Sequence, residues 1–250
     1  MKIKNILVTG ASRGIGRAIA AEFAKADCNL FVNSLNGGKA LEESLELLQA
    51  VRRENGSAGL IEAIAGDVGD PAFVRSMFEQ IGKKAGQNID ILVNNAGISY
   101  RGLFQDMTDE EWDRIMATNL SSVHYCCRAA VPGMLAAGGG RIINISSVWG
   151  NSGASCEAAY SATKGGVNSY TKALARELAP SHIAVNAVAC GCIETDMNRC
   201  LTEDERAELC EEIPAGRFAD PSEVAVLVRS LTEQSDYLTG QIITMDGGWQ

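Results

Sequence analysis

Seven short runs of β-favouring residues punctuate the chain, and most of them are apolar without a break. They cover residues 3–9, 29–33, 60–65, 89–94, 141–146, 183–188 and 241–245. A strand with one wet face alternates apolar and polar residues, whereas a strand that is apolar throughout is buried on both faces, as in a parallel sheet. Between the runs lie helical patterns, two of them with starts spelled out. Thr108-Asp109-Glu110-Glu111 reads as a capping box, because Thr108 and Glu111 can each satisfy an exposed end N–H. Asp220-Pro221-Ser222-Glu223 opens another helix with proline at its first position. This alternation predicts an α/β fold: a single-domain, doubly wound, Rossmann-type parallel seven-stranded sheet with helices on both faces.

No repeat, low-complexity tract or linker divides residues 1–250, so one domain is expected. One segment departs from the alternation. Residues 190–214 follow the sixth strand and carry a charged helical run, Thr202-Glu203-Asp204-Glu205-Arg206. A long excursion past the carboxyl end of a strand is where a substrate lid sits, and this segment is expected to be one.

Composition narrows the function classes. Hydrophobic residues make up 46% and charged residues 21% of the chain, as in ordinary soluble domains. A net charge of −9, from 22 basic and 31 acidic residues, repels phosphate backbones and argues against a nucleic-acid partner. No apolar run has the length of a membrane span, and the first residues lack the features of a signal peptide, so a cytoplasmic protein is expected. The eight cysteines form no C-x-x-C, and only His124 and His182 could join them as ligands. Free, mostly buried thiols and no metal site are the expectation.

Directly after the first run comes Thr9-Gly10-Ala11-Ser12-Arg13-Gly14-Ile15-Gly16. Glycines at 10, 14 and 16 let the backbone approach a pyrophosphate, and a helix from about Ile15 offers its positive N-terminus. The second run ends at Asn33, where an acidic residue would bind the adenosine ribose and select NAD. Asn33-Ser34 carries no charge, and Arg13 can pair with a 2′-phosphate, which favours NADPH without excluding NADH. Asp67-Val68 follows the third run, where Asp67 can accept from an adenine amino group. Asn94-Asn95-Ala96-Gly97 closes the fourth, and its asparagines are expected to tie strand ends together.

Ser147 lies just past the fifth run, at the same carboxyl edge. Tyr160 and Lys164 are four apart within a helical pattern over residues 158–177, so they share one face. An ammonium nearby, and the positive charge of an oxidised nicotinamide, favour the phenolate of Tyr160. A tyrosine tuned this way can give a proton to a carbonyl oxygen as hydride arrives at the carbon, while Ser147 hydrogen-bonds the same oxygen.

The glycine loop, Asp67, Asn94-Asn95-Ala96-Gly97, Asn119 in Ala117-Thr118-Asn119-Leu120-Ser121-Ser122-Val123, Ser147, Tyr160-Ser161-Ala162-Thr163-Lys164 and the terminal Met245-Asp246-Gly247-Gly248-Trp249 occur together and in one order. In this the whole chain resembles the short-chain dehydrogenase/reductase family. The resemblance implies a catalytic tetrad of Asn119, Ser147, Tyr160 and Lys164. It also implies dinucleotide binding by Gly10, Ser12, Arg13, Gly14, Ile15, Gly16, Asn33, Ser34, Asp67, Val68, Asn94, Ala96, Gly97, Tyr160, Lys164, Ile193 and Thr195, and a homotetramer. In the family the lysine also holds the nicotinamide ribose, and the asparagine retains a water for proton relay. Where the family usually has Pro-Gly, this chain has Cys190-Gly191, and losing proline's fixed φ is expected to loosen the loop entry.

Within the family the chain is most similar to 3-oxoacyl-(acyl-carrier-protein) reductases, which implies a small-molecule or carrier-bound carbonyl substrate. Those enzymes dock an acidic carrier through basic residues ahead of the fifth and sixth strands. Here residues 136–140 and 179–182 are nearly bare of positive charge, leaving Arg128 and Arg141 as candidates. A second resemblance, in residues 148–161, is to elongation factor P 5-aminopentanone reductases. Two readings of Glu157 stay open: a solvated glutamate favoured by the helix dipole, or an anion that meets a cationic amine at the pocket mouth. Trp149 either walls the pocket or packs on the helix, and Cys156 is expected to be a small buried residue. A steroid or polyol dehydrogenase and a non-catalytic dinucleotide sensor are the remaining alternatives, the latter disfavoured because Tyr160 and Lys164 are both present.

Overall fold

The computed structural model describes residues 3–86, 89–199 and 201–250, so the Cys200 thiol lies outside the described residues. Seven strands form one parallel sheet: β1 (Lys4–Val8), β2 (Cys28–Ser34), β3 (Ile61–Ala65), β4 (Ile91–Asn94), β5 (Gly140–Ser147), β6 (Ile183–Cys190) and β7 (Ile242–Met245). Their order across the sheet is β3-β2-β1-β4-β5-β6-β7, and every pairing is parallel. The helices are α1 (Gly14–Ala24), α2 (Lys39–Asn55), α3 (Pro71–Ala85), α4 (Asp109–Met116), α5 (Ser122–Ala137), α6 (Trp149–Ser152), α7 (Ala158–Leu178), α8 (Glu203–Glu212) and α9 (Pro221–Glu233). A π-helical turn, Ala117–Ser121, joins α4 to α5.

Alternation along each strand distributes the core between two layers. Ile6, Val8, Leu30, Val32, Ile91, Val93, Ile143 and Ile145 face α1, α2 and α9, packing on Ile19, Phe23, Leu48, Val224 and Val228. Leu7, Phe31, Leu92, Ile142 and Val185 face the other way, onto Val74, Met77 and Ile81 of α3, Cys126, Cys127 and Met134 of α5, and Val167 of α7. Unbroken apolar strands are what two covered faces require. The start signals at Thr108 and Asp220 are both complete capping boxes, and Thr202 with Glu205 forms a third at α8.

Two strands run further than their apolar residues suggest. The ladder between β5 and β6 continues through Ser146↔Ala189 to Ser147↔Cys190. Ser147 is therefore the last residue of a strand rather than the first past it. At Cys190, where proline is usual in the family, the carbonyl accepts from Val148 N–H at 3.0 Å, and Gly191 N–H donates to Met245 O at 2.9 Å.

The chain reverses direction across the sheet between β1 and β4, and the ends of these strands bound a crevice of the kind that binds ligands in open α/β sheets. Asn95 fastens it, donating from Nδ2 to Thr9 O at 2.9 Å and Gly10 O at 3.0 Å. Asn94 ties β4 to β5 through Asn144 at 2.9 Å, and Asn144 reaches Thr171 of α7 at 2.9 Å. Both asparagines thus serve the scaffold in the way expected of them. Asn144 is wholly buried, so its amide cannot be replaced by water. Asn144→Ala is expected to leave the Asn94 amide with only the weak acceptor Cys127 Sγ at 3.4 Å and to cost about 1–3 kcal/mol beyond the lost packing, read as a lower urea midpoint at unchanged slope.

Candidate active site

The first two helix turns after β1 are shaped for an anion. Gly10 and Gly14 have φ of +65° and +53°, a region that side chains other than glycine rarely adopt. A Cβ on Gly16 would collide with Gly10 O and Asn95 Nδ2, so the helix start lies close against the loop it leaves. At the N-cap of α1, Arg13 makes no side-chain cap bond, and the first turn holds no acidic residue. The opening N–H groups and the positive end of α1 therefore have no side-chain partner of their own, which fits a dinucleotide pyrophosphate. Ala11 N–H donates to Asn33 O at 2.8 Å, joining the glycine loop to the end of β2.

The other residues expected at the cofactor line the same carboxyl edge. Ser12 and Ile15 are half-buried in the glycine loop. Asn33 is buried, with its amide on Ile64 O and Gly66 O, and Ser34 is the buried last residue of β2. Asp67 is exposed just past β3, accepting from Gly69 N–H at 2.7 Å, with Val68 buried behind it. Ala96 N–H donates to Thr9 Oγ1, and a Cβ on Gly97 would touch Asn119 Oδ1 and Lys164 Nζ. Ile193 is buried, and Thr195 lies against Gly14. Arg13 is solvent-facing and stands 3.6 Å from Asp196.

Ser147, Tyr160, Lys164 and Asn119, drawn from β5, α7 and the π turn, meet beside this crevice. Lys164 is only 4% exposed, and its amine donates to Ile145 O at 2.9 Å. Burial lowers its pKa from the ordinary 10.5 to about 8, slightly offset by the Cys190 thiol. Tyr160 is partly open, and Lys164 Nζ stands 5.5 Å from its ring centroid. Burial raises the Tyr160 pKa, and a hydrogen bond with Ser147 opposes it. The depression expected at Tyr160 is thus not what the protein alone produces, because desolvation outweighs the one opposing influence, the Ser147 hydrogen bond. A neutral phenol results, which is the form that can give up a proton. Ser147 Oγ accepts from Trp149 N–H at 3.2 Å, so its own proton is directed elsewhere.

Asn119 is 1% exposed, with its side chain bonded both ways to the Ile98 backbone at 2.8 Å and to Thr163 Oγ1 at 3.2 Å. Thr163 in turn donates to Tyr160 O at 2.7 Å. A phenol, a hydroxyl and an ammonium arranged this way can protonate an oxygen, hydrogen-bond it and hold nearby negative charge.

The Cys190 thiol was not legible as a neighbour of this site, and the surroundings of Trp149, Cys156 and Glu157 are set by contacts between distant segments. The Cys190 thiol, held at a pKa of about 12 by burial, is close enough for Lys164 to lower it electrostatically, and sequence shows only a missing proline. Trp149 packs edge-to-face on Trp249, ring centroids 4.9 Å apart, where the helix or the pocket alone had been expected. Cys156 is exposed rather than buried: it sits in a tight turn at φ 61°, with its carbonyl accepting from Gly102 N–H. Glu157 is largely covered, 3.9 Å from Arg101, and burial raises its pKa against the pull of that arginine. Arg141, at the opposite edge of the sheet, is bonded to three backbone carbonyls, while Arg128 is exposed on α5. Among the described residues no helix is long and apolar enough to cross a membrane, and no group of three or more His, Cys, Asp or Glu side chains could hold a metal.

A sequence profile described as short chain dehydrogenase matches residues 4–206. The chain belongs to the short chain dehydrogenase family. Curated relatives in this family include the 3-oxoacyl-[acyl-carrier-protein] reductase FabG of Escherichia coli (strain K12), 42% identical over 98% of this chain and 96% of that protein. FabG of Staphylococcus aureus (strain Mu50 / ATCC 700699) is 40% identical over 98% of this chain and 97% of that protein. A solved structure from Agrobacterium tumefaciens, provisionally described as a 2-deoxy-D-gluconate 3-dehydrogenase and holding bound NADP, superposes with a TM-score of 0.86 at 33% identity, covering 98% of this chain and 96% of that one. The protein is accordingly an NAD(P)H-dependent oxidoreductase.

The buried amine has a consequence for stability. The folded state holds the Lys164 proton less tightly than the unfolded chain does, so a charged Lys164 opposes folding at neutral pH. That opposition is complete below pH about 8 and fades as pH rises from there towards 10.5, where the unfolded chain also loses the proton. Lys164→Met is therefore expected to gain stability relative to the native protein at pH 7, and the gain is expected to shrink across that window in denaturant titrations.

Proposed function

We propose that the protein reduces a ketone with NADPH, and that its substrate is a 3-oxoacyl thioester of the kind carried on an acyl carrier protein. The observation that carries the chemistry is the meeting of Ser147, Tyr160 and Lys164 beside the glycine-loop crevice. Likeness to FabG over nearly the full chain supports the substrate class. Gly10, Gly14, Gly16 and the start of α1 hold the pyrophosphate, Arg13 the 2′-phosphate, and Ile193 and Thr195 the carboxamide end of the nicotinamide. Bound there, a reduced nicotinamide supplies hydride to the carbonyl carbon.

Tyr160 gives its phenolic proton to the carbonyl oxygen, and Ser147 donates a hydrogen bond to the same oxygen as its charge grows. Lys164, positively charged through most of the neutral range, steadies the phenolate left behind. Asn119 keeps the loop after β4 and the start of α7 in register, and it supports a water path that returns the proton. Residues 190–214 close over the substrate as a lid. The enzyme works in the cytoplasm as a homotetramer.

A second reading is favoured by Glu157. A largely covered carboxylate at the N-cap of α7 makes no capping bond and already faces one cation, Arg101 at 3.9 Å, so a substrate amine could take that place. This supports a ketone bearing an amine, as in the 5-aminopentanone modification of elongation factor P. One substrate panel with NADPH separates the two: acetoacetyl thioesters, an aminoketone peptide and a neutral ketone of equal length. Preference for the thioester supports the first reading, and an aminoketone preference lost in Glu157→Gln supports the second. In either case Tyr160→Phe is expected to lower kcat by a factor of 100 or more while NADPH still binds. Near-normal turnover in that variant would overturn the mechanism.

A further inference from the structure

Arg13 stands where two anions can claim it. It follows β1, which has β2 on one flank and β4, β5 and β6 on the other. The end of β2, where Asn33 accepts from Ala11, lies on the first side. On the second side lies the segment after β6, where Asp196 begins a short 3₁₀ turn, Asp196–Asn198. Arg13 Nη1 is 3.6 Å from Asp196 Oδ2, and Asp196 Oδ1 also receives Arg199 Nη2 at 2.8 Å.

The segment rests on the glycine loop at the neighbouring residue too, since a Cβ on Gly14 would lie 3.3 Å from Thr195 Cγ2. It is also tied to what surrounds it. Asn198 Nδ2 donates to Ile193 O at 2.8 Å, and Glu194 forms a forked ion pair with Arg206 of α8. Whatever holds Asp196 therefore helps to hold the β6 end and α8.

Resting on the NADPH reading above, we propose that Asp196 is a cofactor-specificity residue. It pairs with Arg13 and competes for it with the 2′-phosphate, so that only the phosphorylated dinucleotide weakens this one tie between the glycine loop and residues 193–199. A guanidinium drawn towards β2 is drawn away from a carboxylate on the β6 side, so the two anions compete for it. Asp196 is not left alone by the exchange, because Arg199 stays with it. Removing the Asp196 charge removes a competitor of the 2′-phosphate and leaves a dinucleotide without that phosphate unaffected. With all three side chains open to solvent, the competition is modest.

The test titrates the full-length protein with NADPH and with NADH, following nicotinamide fluorescence, in the native protein, Asp196→Asn, Arg13→Ala and the double variant. Asp196→Asn is expected to tighten NADPH binding about two- to fivefold, the range for an exposed ion pair, and to leave NADH binding unchanged. In the Arg13→Ala background the gain disappears. Hydrogen exchange supplies a second readout. Amides of residues 193–199 are expected to be less protected in the native protein with saturating NADPH than with saturating NADH, and equally protected in Asp196→Asn. Equal tightening for both dinucleotides, no tightening, or a gain that persists without Arg13 would each overturn the inference while leaving the reductase reading intact. A native protein that binds neither dinucleotide would overturn both.

Discussion

The amine of Lys164 is carried out of water into the space between α7 and β5, where it donates to one carbonyl, that of Ile145. Burying an ammonium is costly unless it is bonded, and the protein answers both by supplying that carbonyl and by letting the pKa fall to about 8. Close packing follows from this placement. A Cβ on Gly150 would stand 2.7 Å from the Lys164 carbonyl carbon, and one on Gly166 would stand 2.9 Å from Leu120 Cδ2. The small residues between Ser146 and Gly166 thus let α6, α7 and the π turn approach each other, which brings the face of α7 that carries Tyr160 and Lys164 against its neighbours. Packing and chemistry are one requirement here.

The π turn is the complementary constraint. An extra residue in a helical turn is rare and is retained mostly at functional sites. Here it turns Asn119 inward, where it bonds both polar groups of the Ile98 backbone and reaches Thr163. Through Thr163 it is coupled to the Tyr160 carbonyl, so the loop after β4 and the first turn of α7 move together. Asn94, Asn144 and Thr171 repeat the arrangement one layer deeper. The positions of the reacting groups are fixed by buried amides, whereas the segment after β6 combines backbone bonds to Ala219 and Met245 with ion pairs at the surface.

Charge is distributed unevenly over this frame. The chain carries a net −9, and much of its positive charge near the reactive edge is already engaged: Arg13 by Asp196, Arg101 by Glu157, Arg206 by Glu194 and Arg217 by Glu223. Arg141, at the other edge, is used by backbone carbonyls.

Much of this was legible in the sequence, for local reasons. Unbroken apolar runs alternating with capped helical patterns determine a parallel sheet covered on both faces. The glycine loop after the first strand determines an anion-shaped helix start, and the four-residue spacing of Tyr160 and Lys164 puts them on one face. What tertiary structure decided depends on approach between distant segments. Cys190 continues β6 because Ser147 and Met245 pair with it, Cys156 is exposed because its turn bends outward beside Gly102, and Trp149 finds Trp249 from the far end of the chain. Likewise the pKa of Tyr160 rises because desolvation outweighs its hydrogen bond with Ser147, and Arg13 meets Asp196 across the crevice. Periodicity and spacing describe neighbours within one element, whereas burial, electrostatic balance and ion-pair competition exist only once the elements are packed.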